Sequence, residues 1–171
     1  TMKARLLHWL CCPACHGALR LRVFREEADI EEGSLVCAGC GRLFPIIGGI
    51  PRLLPDALVH QVIRYHPDFF ARYPEAMAEY RRCALPEALT GAWDAKRRTL
   101  QSYSYQWRRF KQMLPHWERV FLESIHPVTR DFFPGKVGLD AGCGFGRSLA
   151  YAAAYGAETI GVDLSEAVES A

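Results

Sequence analysis

Four cysteines stand in two C-x-x-C pairs, Cys12-Pro-Ala-Cys15 and Cys37-Ala-Gly-Cys40. A two-residue spacer in a short turn puts both thiolates of a pair on one side of the chain. Two such turns brought together make a tetrahedral four-thiolate site, which Zn2+ prefers at Zn–S distances of about 2.3 Å. The intervening stretch, residues 16–36, is 21 residues long, close to zinc-ribbon spacing. Four protein ligands leave no position for a water or substrate, so the expected zinc is structural. Cys11 is the alternative to Cys12, and the matching spacing of the second pair favours Cys12. Cys83 and Cys143 read as buried thiols. His8 and His16 read as surface histidines near the knuckles.

A second motif can hold a nucleotide. Asp140-Ala-Gly142-Cys143-Gly144-Phe-Gly146 follows a predicted strand, Lys136–Asp140, and opens an Ala-rich helix over Arg147–Tyr155. Glycines there let the backbone turn tightly and approach a ligand. A second strand, Thr159–Asp163, places an acid 17 residues after Gly146, where it can bind ribose hydroxyls. The G-x-G-x-x-G dinucleotide pattern fails, because Arg147 or Leu149 stands where the third glycine belongs.

The elements that must position these groups fall into three stretches. Residues 2–55 carry short strands, Leu19–Phe24 and Ser34–Val36, joined by an acidic loop at Glu26–Glu32 and closed by Gly48, Gly49 and Pro51. So small a module buries little core, so a metal cross-link makes physical sense. Residues 56–133 are predicted helical, with Asp56 as an N-cap and breaks at Pro67, Pro74, Pro86 and Pro115. Leu100, Tyr103, Trp107, Phe110 and Leu114 step by 3, 4, 3 and 4, one helix face that reads as core. Residues 134–171 read strand–helix–strand, with Ser165 capping a further helix. The expected class is therefore α+β: a small β zinc ribbon, a helical middle segment, then the β-α-β start of a Rossmann-like domain. Two strands and one helix do not make a stable sheet alone, so either the chain is a fragment or self-association or a partner chain completes the sheet.

Composition sets the exclusions. The 171 residues are 50% apolar and 23% charged, with net charge +2, a globular balance. No apolar run is long enough to span a membrane. No secretory signal is read at the N-terminus, where Thr1 is set aside from the fold argument. Seven cysteines, four of them in C-x-x-C pairs, point to metal binding in a reducing, cytoplasmic setting. The middle block is mildly basic, with clusters Arg81-Arg82, Lys96-Arg97-Arg98 and Arg108-Arg109. That is too little to require nucleic acid.

Two resemblances follow. The knuckles with Gly41-Arg-Leu-Phe-Pro-Ile-Ile-Gly-Gly-Ile-Pro-Arg-Leu-Leu54 resemble the zinc-ribbon family of methyltransferase activators. That implies a platform for a partner enzyme, with Cys12, Cys15, Cys37 and Cys40 as zinc ligands. The pattern D-x-G-x-G-x-G resembles motif I of class I S-adenosylmethionine-dependent methyltransferases. That resemblance implies that Gly142, Cys143, Gly144 and Gly146 contact the methionine side of S-adenosylmethionine. It also implies that Asp140 orients the loop and faces the methionine amino group, and that Asp163 binds the ribose. Gln101–Phe110 is similar to the helix ahead of that motif, which can cap the cofactor. Together the resemblances imply a methyltransferase with an N-terminal ribbon, of which this chain is an N-terminal portion. Its methyl acceptor is unknown, no catalytic residue is assignable, and catalysis by this chain alone is not expected. The alternative is a ribbon that binds and activates a partner enzyme without catalysis of its own.

Overall fold

The structure, a computed structural model, describes residues 2–84, 93–109 and 112–171. Two compact units emerge, Thr1–Trp93 and Asp94–Ala171. The helical stretch 56–133 is thus shared between them.

The first unit is built on a four-stranded antiparallel sheet, β1 (Leu19–Glu26), β2 (Ile30–Cys37), β3 (Leu43–Ile47) and β4 (Ile50–Pro51), in sequential order. Period-two alternation makes β3 serve two cores. Leu43 and Ile47 face one side, and Phe44 and Ile46 join Met2, Ile30 and Leu35 on the other. Gly48 and Gly49, with φ of 58° and 72°, turn β3 into β4 in two residues, because both positions need the left-handed region. The acidic loop expected at Glu26–Glu32 is shorter than predicted. Glu26 ends β1, β2 begins at Ile30, and Glu32 is buried within it.

Three short helices cover the Leu43/Ile47 face: α1 (Val59–Tyr65), α2 (Pro67–Arg72) and α3 (Pro74–Arg81). Pro67 and Pro74 each open a helix at its first position, where the missing N–H costs nothing. Val59, Val62, Phe69, Phe70, Ala76 and Tyr80 bury there. A buried side chain of Phe size contributes roughly 1.5–3 kcal/mol. Asp56 is not a side-chain cap. It begins a 3₁₀ turn, Asp56–Leu58, and no side chain caps that turn. Its carboxylate instead accepts from Arg42 Nη2 at 2.8 Å and Nε at 3.3 Å.

The second unit holds α4 (Asp94–Arg109), α5 (Trp117–Ser124), β5 (Val137–Ala141), α6 (Arg147–Ala154) and β6 (Glu158–Val162). β5 and β6 pair in parallel, with Val137 opposite Glu158 and Ala141 opposite Val162. No further strand joins them among the described residues. Phe121 of α5 packs on Tyr151 of α6 and on Phe133, at ring separations of 5.7 and 5.9 Å. The Ser165 cap is present, its hydroxyl accepting from the Ala167 N–H, but over a 3₁₀ turn, Glu166–Ser170. Where its side chains are described, the five-residue stripe is not buried. Tyr103 is 51% exposed, and Leu114 lies beyond the end of α4 and is 38% exposed. Phe110 and the side chain of Trp107 lie outside the described residues. Among the described residues, no helix is long and apolar enough to cross a membrane.

Candidate functional site

The two knuckles are backbone copies of each other. The Cys12 N–H donates to Gly17 O at 2.9 Å, and the Cys37 N–H donates to Arg42 O at 2.8 Å. Each loop closes back on its first cysteine through an N–H four residues on: His16 to Cys12 O, and Gly41 to Cys37 O. The turn then needs a left-handed residue, supplied by His16 (φ 58°) and Gly41 (φ 72°). His16 therefore has a backbone role, which its residue type did not advertise.

These turns bring the sulfurs of Cys12, Cys15, Cys37 and Cys40 within 4.8 Å of one another. Cys12 lies 3.6 Å from Cys40 and Cys15 lies 3.4 Å from Cys37, sulfur to sulfur. Tetrahedral zinc at about 2.3 Å from each ligand requires sulfurs about 3.8 Å apart, so the cluster fits the ion. Cys11 is exposed and takes no part, which resolves the choice in favour of Cys12. Gly17 packs tightly against the cluster. A Cβ there would sit 3.1 Å from the Cys37 sulfur and 3.3 Å from that of Cys15.

Electrostatics favour thiolates on the second knuckle. The Arg42 backbone N–H, ahead of the Arg42 side chain, draws the Cys40 thiol down to about 6. The Cys40 N–H draws Cys37 down in the same way. Burial raises Cys12. Cys15 has the Gly17 N–H pulling it down, yet the sulfurs of Cys37 and Cys40 push it up to about 12. A dication replaces the protons that hold such a cluster together.

The glycine loop lies between β5 and α6. Gly142, Gly144 and Gly146 have φ of 87°, 56° and 83°. The N–H groups of Gly142 and Cys143 donate to Val162 O at 2.7 and 3.1 Å, tying the loop to the end of β6. Asp163, just past β6, is already engaged. Its Oδ2 accepts from the Gly144 N–H at 2.8 Å and its Oδ1 from the Ser165 N–H at 2.6 Å. Cys143 turns its thiol inward, where a Cβ on Gly161 would meet it at 2.9 Å. Burial, then the charges of Asp163 and Asp140, push that thiol up to about 11. Asp140 is half-buried in the last part of β5. Phe145 of the loop packs on Trp117 at 6.0 Å, and the Arg147 guanidinium lies 4.6 Å over the same ring.

Sequence reasoning placed Glu32 in an acidic loop and missed its buried ion pair. This residue is 5% exposed on β2 and accepts from the Tyr73 hydroxyl at 2.9 Å and from Arg72 Nη2 at 2.5 Å. Burial alone would raise its carboxyl. Tyr73 and Arg72 outweigh that and hold it below the ordinary range.

Residues 3–49 match the Trm112p-like protein family. A UPF0434 protein of Dechloromonas aromatica is 44% identical over 55 residues, 32% of this chain and 83% of that protein. One of Methylobacillus flagellatus is 38% identical over 55 residues, 32% of this chain and 80% of its own. Among solved structures, the complex between the Haloferax volcanii Trm112 methyltransferase activator and a candidate methyltransferase aligns at 42% identity. It covers 32% of this chain and 94% of that one, with a TM-score of 0.30.

Proposed function

Because the chain belongs through its ribbon to the Trm112p-like family, we propose that the ribbon is a protein-binding module that docks on a partner methyltransferase and activates it. The four-sulfur cluster carries this reading. A closed thiolate sphere has no coordination site to offer a substrate, so the ribbon's work is done by the surface that the metal holds in shape. Structural zinc is the ion proposed, held by Cys12, Cys15, Cys37 and Cys40, where it cross-links the two knuckles. A reducing, cytoplasmic setting keeps those thiols available. The test is methyl transfer by a purified partner enzyme with and without the zinc-loaded chain. A rise that follows the chain's zinc content supports the reading.

A second reading concerns the glycine loop, and the left-handed backbone of Gly142, Gly144 and Gly146 between β5 and α6 favours it. In this reading the β5–α6–β6 unit is the start of a methyltransferase domain that binds S-adenosylmethionine, whose sulfonium supplies an already reactive methyl donor. Gly142, Gly144 and Gly146 allow close backbone approach, and Asp140 and Asp163 flank the loop. Calorimetric titration of the chain with S-adenosylmethionine tests it, and absence of binding to folded protein removes it.

A further inference from the structure

The helices α1–α3 sit on one face of the ribbon, yet a ribbon of this family stands without them. The UPF0434 relatives are so short that the 55 matched residues make up 80–83% of their length. The remainder is too small to add a cover of residues 56–84 to an intact ribbon. The cover is also poorly suited to stand by itself. Its helices have seven, six and eight residues and no side-chain N-cap. Isolated helices shorter than about 12–15 residues are marginal in water. They form here because β2 and β3 offer Val36, Leu43 and Ile47 as an apolar floor.

The rim of that floor is charged in a defined order. Arg22 of β1 pairs with Glu79 of α3 at 3.1 Å, and Arg42 pairs with Asp56 at 2.8 Å. Glu32 meets Arg72 and Tyr73 of the cover. The floor thus asks for an apolar helical segment that brings carboxylates to Arg22 and Arg42 and a cation to Glu32.

We propose that α1–α3 are a cis occupant of the ribbon's protein-docking face, and that a partner engages it by displacing residues 56–84 with an amphipathic helix of its own that carries carboxylates for Arg22 and Arg42 and a cation for Glu32. This rests on the reading of the ribbon as a partner-binding module and adds a regulatory step to it. Apparent affinity for a partner is reduced by the small fraction of molecules in which the face is uncovered.

The test uses the full chain and a fluorescent peptide of residues 56–84 as the stand-in occupant. Phe69→Glu with Phe70→Glu loosens the cover in cis. The double variant is expected to keep one zinc per chain and to bind the peptide saturably, at least about tenfold tighter than the unaltered chain. Adding Arg22→Glu, which lies away from the four sulfurs, is expected to weaken that binding severalfold at unchanged zinc content, the scale of lost charge complementarity. A zinc-loaded double variant that binds no peptide overturns the proposal. So does a double variant that loses its zinc, since the helices would then be part of the ribbon's own fold. Peptide binding is read without any methyltransferase, so its failure is distinguishable from failure of the activator reading.

Discussion

His16 and Gly41 occupy the same place in the two knuckles. Each adopts left-handed backbone, and each donates its N–H to the carbonyl of its knuckle's first cysteine, at 2.8 and 3.0 Å. Gly41 fills that place without strain, and His16 fills it at some cost.

This yields a prediction that separates backbone from ligand roles. His16→Gly should bind zinc as tightly as the parent and match its stability within about 0.5 kcal/mol, as relief of strain offsets the added freedom of the unfolded chain. His16→Val should lose roughly 1–2 kcal/mol, since a β-branched residue resists left-handed φ. Thermal unfolding with zinc analysis checks both. A large zinc loss in His16→Gly would mean that the imidazole is a ligand.

The neighbouring cysteines should behave oppositely. Cys12→Ser should strip the metal and unfold the ribbon, because structural zinc sites supply folding energy, about 10–16 kcal/mol in small zinc peptides. Cys11→Ser should leave zinc content at one per chain. Elemental analysis after gel filtration decides between them, and a strong chelator should reproduce the Cys12→Ser state in the unaltered chain.

Glu32 predicts a pH dependence. Its carboxyl is held below its ordinary value in the folded state, so its contribution is present above the unfolded pKa. It is lost as pH falls through the folded one. The stability difference between the parent and Glu32→Gln should be constant near neutral pH and shrink as pH drops below about 4.3, the ordinary Glu value. Comparing the two proteins cancels acid release of zinc, which both share. A gap that stays open in acid would place the Glu32 effect outside its charge.

Asp163 bonds two backbone N–H groups in this structure, so Asp163→Ala should weaken the glycine loop before any ligand is considered. Leaving two partly buried donors unpaired costs about 1–3 kcal/mol each where water cannot reach them. Hydrogen exchange at residues 142–146 should quicken in Asp163→Ala and less so in Asp163→Asn. Unchanged exchange would show that the loop holds its shape without the carboxylate.

The four-sulfur cluster was legible because thiolate chemistry dictates type and spacing together. The order strand, glycine loop, helix, strand was legible for a similar reason, with boundaries one residue off. β3 was harder to see, because Pro45 sits in its centre and a proline inside a strand usually argues against one. Its lost N–H is harmless here: the Pro45 carbonyl still accepts from the Arg52 N–H at 2.8 Å. Packing across long separations was not legible. Nothing local says that Glu32 will meet Arg72 and Tyr73, or that Asp56 will answer Arg42 instead of capping a helix. Tyr103 and Leu114 escaped the expected burial because periodicity identifies a face and not what lies opposite it.

Activation of a methyltransferase is the central property proposed for the ribbon. The decisive measurement is radiolabelled methyl transfer by class I methyltransferases of the source organism, assayed one by one with the zinc-loaded chain and with its Cys12→Ser variant. At least one enzyme should gain about tenfold or more, an ordinary coupling free energy of ~1.4 kcal/mol, with the intact chain and nothing with the variant. If every enzyme ignores a folded, zinc-loaded chain, or responds equally to both, the ribbon is not an activator.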